Sequence, residues 1–374
     1  MDLFIFGTLL HIPLLSVVSG DPEIGDKIRW GVRPGFRVSR VRGKHFPMIH
    51  EDGDGVAEGI ILEDVAAEVV ERLDFYEKVF NYDRGPFSVI DAENASRSVE
   101  VYLPEVSRWE PAEAWNREEW VSIYGELTVE TAREVMESFG DVDPQDVGRQ
   151  YPQMLTRAAS RQRARRTSPV GPFQSMHRED VKLIEARKRY EGFFNVEELD
   201  LTFRRFDGSM SDPVERTVFV GVDCAIVLPY DPIRDRVLVV EQFRPGAYLR
   251  GDPNPWTVEP IAGRIDPGEE PEDAARREAV EEANIDLYQL DCVSAAYPSP
   301  GTTTEHFYVF VGHCNLPDDV IGVGGKLDEA EDIRSHLMEW DAFDRALNTG
   351  EFRLLPLLVA GHWLARNRQR LRAA

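Results

Sequence analysis

The stretch GRIDPGEEPEDAARREAVEEANIDL, Gly263 to Leu287, decides how the second half of the chain is read. Asp266, Pro267 and Gly268 are turn residues, Pro271 and Glu272 suit the first turn of a helix, and Asn284 suits a left-handed C-cap. A helix is therefore predicted from about Pro271 to Ala283. On it Glu278, Glu281 and Glu282 stand in i, i+3 and i+4 relation, so three carboxylates share one face. Like charges packed this way repel, and helix formation alone gives no reason to gather them. A hard divalent cation does, because Mg²⁺ takes carboxylate oxygens together with water and substrate phosphate oxygens. Arg277 and Glu269 add an ion pair that ties the helix to its leading loop. In isolation EAVEE reads as a solvated acidic face; the spacing around it favours the metal.

Outward from this helix, the residues from about Val181 onward alternate between strands and helices: TVFVGVDCAIVLPY, DRVLVVEQF and TVEPIAG before it, LDCVSAAYP, HFYVFVGHC and IRSHLMEW after it, then a terminal helical region from Leu355. Mixed strands around a few helices predict an α/β sandwich. Toward the N-terminus, LFIFG, GIILE, FSVID and VEVYLP read as short strands around one helix, EDVAAEVVERLDFYE, a small α+β unit over residues 1–105. Residues 106–180 read as a helical connector in which Thr128, followed by Glu130 and Thr131, resembles a helix start. The run RAASRQRARR near its end, Arg157 to Arg166, reads as a solvated helix end before the breaker TSPVGP.

The 374 residues are enough for two domains. Lys plus Arg is 43 against 67 Asp plus Glu, a formal charge of −24, with 42% hydrophobic residues, which describes an acidic globular protein and not a disordered one. That charge disfavours nucleic-acid binding. Cys224, Cys292 and Cys314 form neither a disulfide framework nor a CxxC metal site, which fits a reducing cytoplasm. No window holds about 18 uncharged apolar residues, so no membrane partner is expected.

At Gly263, Glu269, Arg277, Glu278, Glu281 and Glu282 the sequence resembles the Nudix hydrolase family, whose signature sets Gly, a Glu six residues on, Arg-Glu eight further and then a Glu-Glu pair. Asn284 stands where the signature has Gly, and Ala279 where a larger aliphatic is usual; neither touches the carboxylates. Flanking stretches, GFFNVEELDLTFRRFDG, EQFRPGAY, PWTVEPIAGRID, YPSPGTTTEHFYVFVG and LDEAEDIRSHLMEW, are similar to the ADP-ribose pyrophosphatase branch. The resemblance implies metal ligation by Glu278, Glu282, Glu331 and the backbone carbonyl of Ala262. It implies Glu329 as general base, with Glu281 and Arg277 also among the catalytic residues, and substrate binding by Arg244 and Glu259. Arg216 would reach substrate across a homodimer, since that branch exchanges its N-terminal strands. The cofactor implied is Mg²⁺, with Mn²⁺ as the alternative.

The chemistry is coherent without the resemblance. A pyrophosphate repels a water nucleophile; clustered cations neutralise it and lower the pKa of the water, and a carboxylate on a loop takes the proton. The glycine-rich IGVGGKLDEAED, residues 321–332, supplies such a loop. None of the histidines, His306 and His313 included, is assigned a role.

In the first domain, FIFGTL puts Gly7 directly after an apolar strand, and LDFYEKVFNYDRGPF follows. Successive N–H groups in such a turn can hold an anion. The combination resembles the gamma-glutamylcyclotransferase-like (AIG2-like) fold, a mixed β-barrel. It implies Glu77 as acid/base and Gly7, Thr8 and Leu9 as the binding loop, although Phe6 and Lys78 depart from the family pattern; a docking role for the same fold is the other reading. The two-domain order resembles the tellurite-resistance-associated bacterial proteins, a likeness to a phenotype and not to a reaction. The expectation is thus a cyclotransferase-like mixed β-barrel domain (1–105), a helical connector (106–180) and a Nudix α/β/α sandwich (181–374) that hydrolyses ADP-ribose to AMP and ribose 5-phosphate. The alternatives are hydrolysis of other nucleoside diphosphate sugars, or a non-catalytic ADP-ribose sensor.

Overall fold

The computed structural model describes residues 1–105, 108–166, 175–326 and 331–373. Two compact units emerge, Met1–Ser168 and Pro169–Ala374.

In the first unit β1 (Leu3–Ile5) leads through a glycine turn to α1 (Ile12–Ser19), followed by β2 (Ile28–Val41), β3 (Pro47–Leu62), α2 (Ala67–Val79), β4 (Tyr82–Asp91), β5 (Ser96–Pro104) and β6 (Pro111–Ala114). The sheet runs β3-β1-β5-β4-β2, and β2 also pairs with β3, so five strands close into a barrel with β6 on β2. Alternation along β1 sorts its side chains. Phe4 joins Ile61, Val89 and Val101 in an all-strand cluster inside the barrel, while Leu3 and Ile5 face the cluster shared with the helices.

Of the segment read as a connector, the helices up to Arg166 pack into this second cluster. Three helices follow the barrel, α3 (Arg117–Trp120), α4 (Glu126–Met136) and α5 (Pro144–Arg166), and they bury Trp120, Val129, Val135, Val147 and Met154 among the residues of α1 and α2. The helix does not start at Thr128. Asn116 caps it, its side chain accepting from the Glu119 N–H at 3.1 Å, and a wider turn over Val121–Gly125 carries it into α4, leaving Thr128 buried in the helix interior.

The basic run is not a solvated helix end either. Arg157, 2% exposed, donates from Nε and Nη2 to Glu134 Oε1 at 2.9 and 2.6 Å; Arg161 Nη2 reaches Glu134 Oε2 at 2.9 Å, and Arg165 pairs with Glu130. Burial would raise the pKa of Glu134, but the Arg157 and Arg161 guanidiniums outweigh it and hold the carboxyl below its ordinary value.

The second unit begins with a three-stranded antiparallel sheet, β7 (Val181–Glu191), β8 (Asn195–Phe203) and β9 (Val214–Val220). Then come β10 (Cys224–Asp231), β11 (Arg236–Phe243), α6 (Pro245–Arg250), β12 (Trp256–Glu259), β13 (Ile261–Arg264), α7 (Pro271–Ala283), β14 (Gln289–Ala296), β15 (Phe307–His313), β16 (Val323–Gly324), β17 (Ile333–Glu339), α8 (Trp340–Thr349) and α9 (Leu355–Ala373). The main sheet is ordered β14-β15-β10-β11-β17-β16, with β10 and β15 parallel.

Both faces of the sheet are covered, which is why its central strands read as unbroken apolar runs. Ala225, Val227, Leu238 and Val240 pack with α7, whereas Ile226, Leu228, Val237 and Val239 pack with α8 and α9. The expected sandwich is present. TVEPIAG splits in two because Pro260 cannot donate to a ladder: β12 pairs with β11, and β13 pairs with β10. No helix among the described residues is long and apolar enough to cross a membrane.

Candidate functional site

Helix α7 spans the predicted residues and ends at Asn284, whose φ of 51° is the left-handed cap expected there; the Asn284 N–H bonds Val280 O at 2.9 Å and the Ile285 N–H bonds Ala279 O at 3.1 Å. Its carboxylate face is seated on β13. A Cβ on Gly263 would lie 1.9 Å from Glu278 Oε1, so the Glu278 carboxylate occupies the place a side chain would take. Only glycine allows that seat. Ala262, one residue earlier on β13, pairs with Ile226 of β10 and so is held beside it by the ladder.

Arg277 organises the cluster. Its Nε and Nη2 donate to Glu269 at 3.0 and 2.9 Å, Nη2 also to the Arg264 carbonyl at 2.9 Å, and Nη1 to Glu278 Oε1 at 2.6 Å and Glu281 Oε2 at 3.0 Å. Burial opposes its charge, but the bonds to Glu269 and Glu278 outweigh that and raise its pKa. Lys326 Nζ adds a second cation to Glu281 at 2.9 Å, and the Lys326 N–H donates to Glu331 Oε2 at 3.0 Å. The chain of β16 lies close on the end of α7, where a Cβ on Gly324 would be 2.1 Å from the Glu282 carbonyl.

Glu282 is the exception among these acids. It is 3% exposed, and its Oε2 is buried without a hydrogen-bond partner among the described residues. Burial, then Glu278 and Glu331, push its pKa up to about 9, with Arg244 acting in the opposite sense. Burial likewise raises Glu278, against the pull of Arg277. Across the site Arg244 grips Glu259 through both carboxylate oxygens, at 2.8 and 2.6 Å, and Thr257 donates to the same carboxylate. Glu259 is buried, while the Arg244 side chain remains 41% exposed and able to meet an anion.

Glu278, Glu281, Glu282, Arg277, Glu331, Arg244 and Glu259 are thereby brought into one electrostatic neighbourhood. Glu329 lies outside the described residues. Arg216 is exposed on β9, donates to the Glu215 carbonyl at 2.8 Å and makes no contact with the acidic cluster among the described residues. Thr257 and Lys326 carried no motif; a single cation in the glycine-rich loop before four acids was the only trace of Lys326 in the sequence.

The fit to a divalent cation can be tested on these atoms. Among the described residues no three His, Cys, Asp or Glu side chains form a ready-made metal group, because Glu278 and Glu281 are turned onto Arg277 and Lys326. Yet the unpartnered Glu282 oxygen, raised by two neighbouring carboxyls, is a buried acceptor that a hard cation satisfies. The donor set fits.

The first unit holds a second constellation. Thr8, Leu9 and Glu77 line one cavity of about 570 Å³. Gly7 is the bend that delivers the loop to it: its φ is +70°, and a Cβ there would sit 2.4 Å from Pro47 Cγ. Burial alone pushes Glu77 up to about 8. No hydrogen bond or ion pair engages its carboxyl among the described residues.

Comparison with known proteins agrees with both halves. Residues 222–358 match the NUDIX domain, and residues 3–122 match the family described as "Gamma-glutamyl cyclotransferase, AIG2-like". The ADP-ribose pyrophosphatase of Escherichia coli (strain K12) is 36% identical over 193 residues, 52% of this chain and 91% of that protein. The ADP-ribose pyrophosphatase of Haemophilus influenzae is 33% identical over 172 residues, 46% of this chain and 79% of its own. A GDP-mannose pyrophosphatase of Cronobacter sakazakii is 29% identical over 154 residues, covering 41% of this chain and 80% of that one. With the Glu278 seat on Gly263 intact and the Escherichia coli relative matched over nearly its whole length, the chain belongs to the Nudix family of pyrophosphohydrolases, behind a gamma-glutamyl-cyclotransferase-like unit.

Proposed function

We propose that the second unit hydrolyses the pyrophosphate bond of ADP-ribose to AMP and ribose 5-phosphate. The observation that carries this is the buried, unpartnered Glu282 oxygen amid Glu278, Glu331 and Glu259, opposite the exposed edge of Arg244. Such a cluster is costly to keep unless a cation and an anionic substrate complete it. The identity to the two ADP-ribose pyrophosphatases supports the choice of substrate.

Glu278, Glu282, Glu331 and the Ala262 carbonyl would hold Mg²⁺, with Mn²⁺ as the alternative. Bound there, the cation supplies charge neutralisation of the pyrophosphate and a more acidic water. Arg277 keeps Glu278 and Glu281 oriented by its ties to Glu269 and the Arg264 carbonyl. Glu259 fixes the Arg244 guanidinium, leaving its free edge for a phosphate oxygen. Glu329 is proposed to accept the proton of the attacking water.

We further infer a homodimer through the second unit, with Arg216 at the partner's site. Leu183, Ile184 and Tyr190 on β7 are 56, 52 and 61% exposed, an apolar edge that a second copy would cover. A monomeric mass by light scattering would remove Arg216 from the site. A cytoplasmic setting is supported by the three cysteines, all free. Association with tellurite resistance stays a likeness with no reaction attached.

The GDP-mannose pyrophosphatase relative keeps a second substrate class open, other nucleoside diphosphate sugars. Nucleoside monophosphate release from ADP-ribose, ADP-glucose and GDP-mannose, each with Mg²⁺ and with chelator, decides. Metal-dependent cleavage strongest with ADP-ribose supports the reading, strongest with GDP-mannose replaces it, and saturable ADP-ribose binding without cleavage makes the unit a sensor.

A further inference from the structure

The cavity of the first unit has chemistry of its own. Its volume of about 570 Å³ falls within the usual size of small-molecule sites. One wall comes from residues beyond the cyclotransferase-like match, which ends at 122: Tyr124, Thr128, Arg149, Tyr151 and Leu155 all line it. Helix α5 can approach this closely because of Gly148, where a Cβ would lie 2.5 Å from the Val79 carbonyl.

That approach builds a box of rings. Phe80 meets Tyr151 edge-on at 4.9 Å between centroids and Phe46 at 5.2 Å, and Phe46 meets Trp109 at 5.4 Å. The Trp109 indole N–H donates to the Phe80 carbonyl at 3.2 Å, so its ring orientation is fixed. Two cations lie over the same indole, Arg108 at 5.2 Å and Lys44 at 5.9 Å from its centroid. Both are exposed residues that also line the cavity, which puts them at its mouth, and neither has an acidic partner among the described residues. Glu77, one turn before Phe80, is the acid of the lining and has no partner among the described residues. An apolar planar box, a cationic mouth and one uncompensated carboxyl select three features in a single ligand.

We propose that this cavity binds a small organic anion bearing a planar apolar ring and an amide: the ring among Phe46, Phe80, Trp109 and Tyr151, the negative group at Lys44 and Arg108, the amide at Glu77. An amino acid acylated by, or carrying, an aromatic group is the matching chemical class. The inference is independent of the hydrolytic reading of the second unit, since such a ligand has no phosphate.

Calorimetric titration of the full chain with hippurate (benzoylglycine) tests it, beside acetylglycine, which lacks the ring, and hippuramide, which lacks the charge. Hippurate is expected to bind saturably and about tenfold or more tighter than either. Tyr151→Leu is expected to weaken hippurate about tenfold while leaving acetylglycine unchanged. The Lys44→Gln, Arg108→Gln pair, at exposed positions that do not threaten folding, is expected to erase the preference over hippuramide. Absence of saturable hippurate binding, equal affinity for the three compounds, or a preference untouched by the Lys44 and Arg108 changes would overturn the proposal.

Discussion

Replacing Glu282 by glutamine is expected to stabilise the metal-free protein and to abolish its hydrolysis. Glu282 is 3% exposed, and burial with two neighbouring carboxyls pushes its pKa from 4.5 up to about 9. A folded-state pKa above the unfolded value means that the folded protein binds the extra proton, so stability falls as pH rises from the lower value through the upper one. At pH 7 the distance from the unfolded value is 7 − 4.5 = 2.5 units. At roughly 1.4 kcal/mol per unit this is a cost of about 3 kcal/mol, and it approaches about 6 kcal/mol near pH 9. Glutamine keeps the shape without the charge. In chelator the variant should therefore melt above the wild type, by about 2–4 °C per kcal/mol, with the gap widest near pH 9 and closing toward about pH 4. Added Mg²⁺ should raise the melting temperature of the wild type and not of the variant, since a ligand stabilises only the form that binds it. Scanning calorimetry at several pH values, with AMP release measured alongside, reads both effects. A variant that melts lower than wild type in chelator at high pH, or one that still hydrolyses ADP-ribose, would refute the assignment of Glu282 as the buried ligand.

Gly263→Ala is expected to keep the fold and to lower turnover by about 10² or more, because the new methyl lands 1.9 Å from Glu278 Oε1 and evicts the carboxylate; circular dichroism beside AMP release separates the two. Arg157→Met should destabilise the first unit by about 3–5 kcal/mol, since it leaves the buried Glu134 with only the half-exposed Arg161, and adding Glu134→Leu should recover most of that loss in urea unfolding. Glu77→Gln should flatten the pH dependence of the first unit's melting: the wild-type carboxyl, raised to about 8 by burial, takes stability away as pH climbs from 4.5 through that value, and the amide does not. Equal pH profiles for the wild type and this variant would show that the carboxyl is solvated.

What the sequence disclosed was local. Pro271 at the start and Asn284 at the end of α7 are punctuation read within a few residues, and the carboxylate face followed from helical spacing alone. The apolar runs of β10 and β11 were legible as strands, and the structure buries both of their alternating faces. The parts that stayed hidden depend on pairings between distant positions. Glu134 and Arg157 are 23 residues apart and individually read as surface charges; only their mutual burial makes the arginine-rich run structural. Gly263 entered the sequence reading only as a signature position, and its role as the seat for Glu278 exists only once β13 and α7 are packed. The ring box draws on residues 46, 80, 109 and 151, which no window joins. The start of α3 was visible in principle, since Asn116 precedes Glu119 with capping spacing, but the widened turn that follows disguised the continuity with α4.

The folding of α4 and α5 into the first core separates two kinds of boundary that usually coincide. The stretch that matches the cyclotransferase-like family ends at residue 122, whereas the compact unit ends near Ser168. A fragment cut where the matched stretch stops would lose Val129, Val135, Val147 and Met154 from the apolar cluster and would open the wall that Tyr151 supplies. The barrel thus depends on the helices that follow it, and any transplant of this unit into another protein must carry the arginine-rich helix with it.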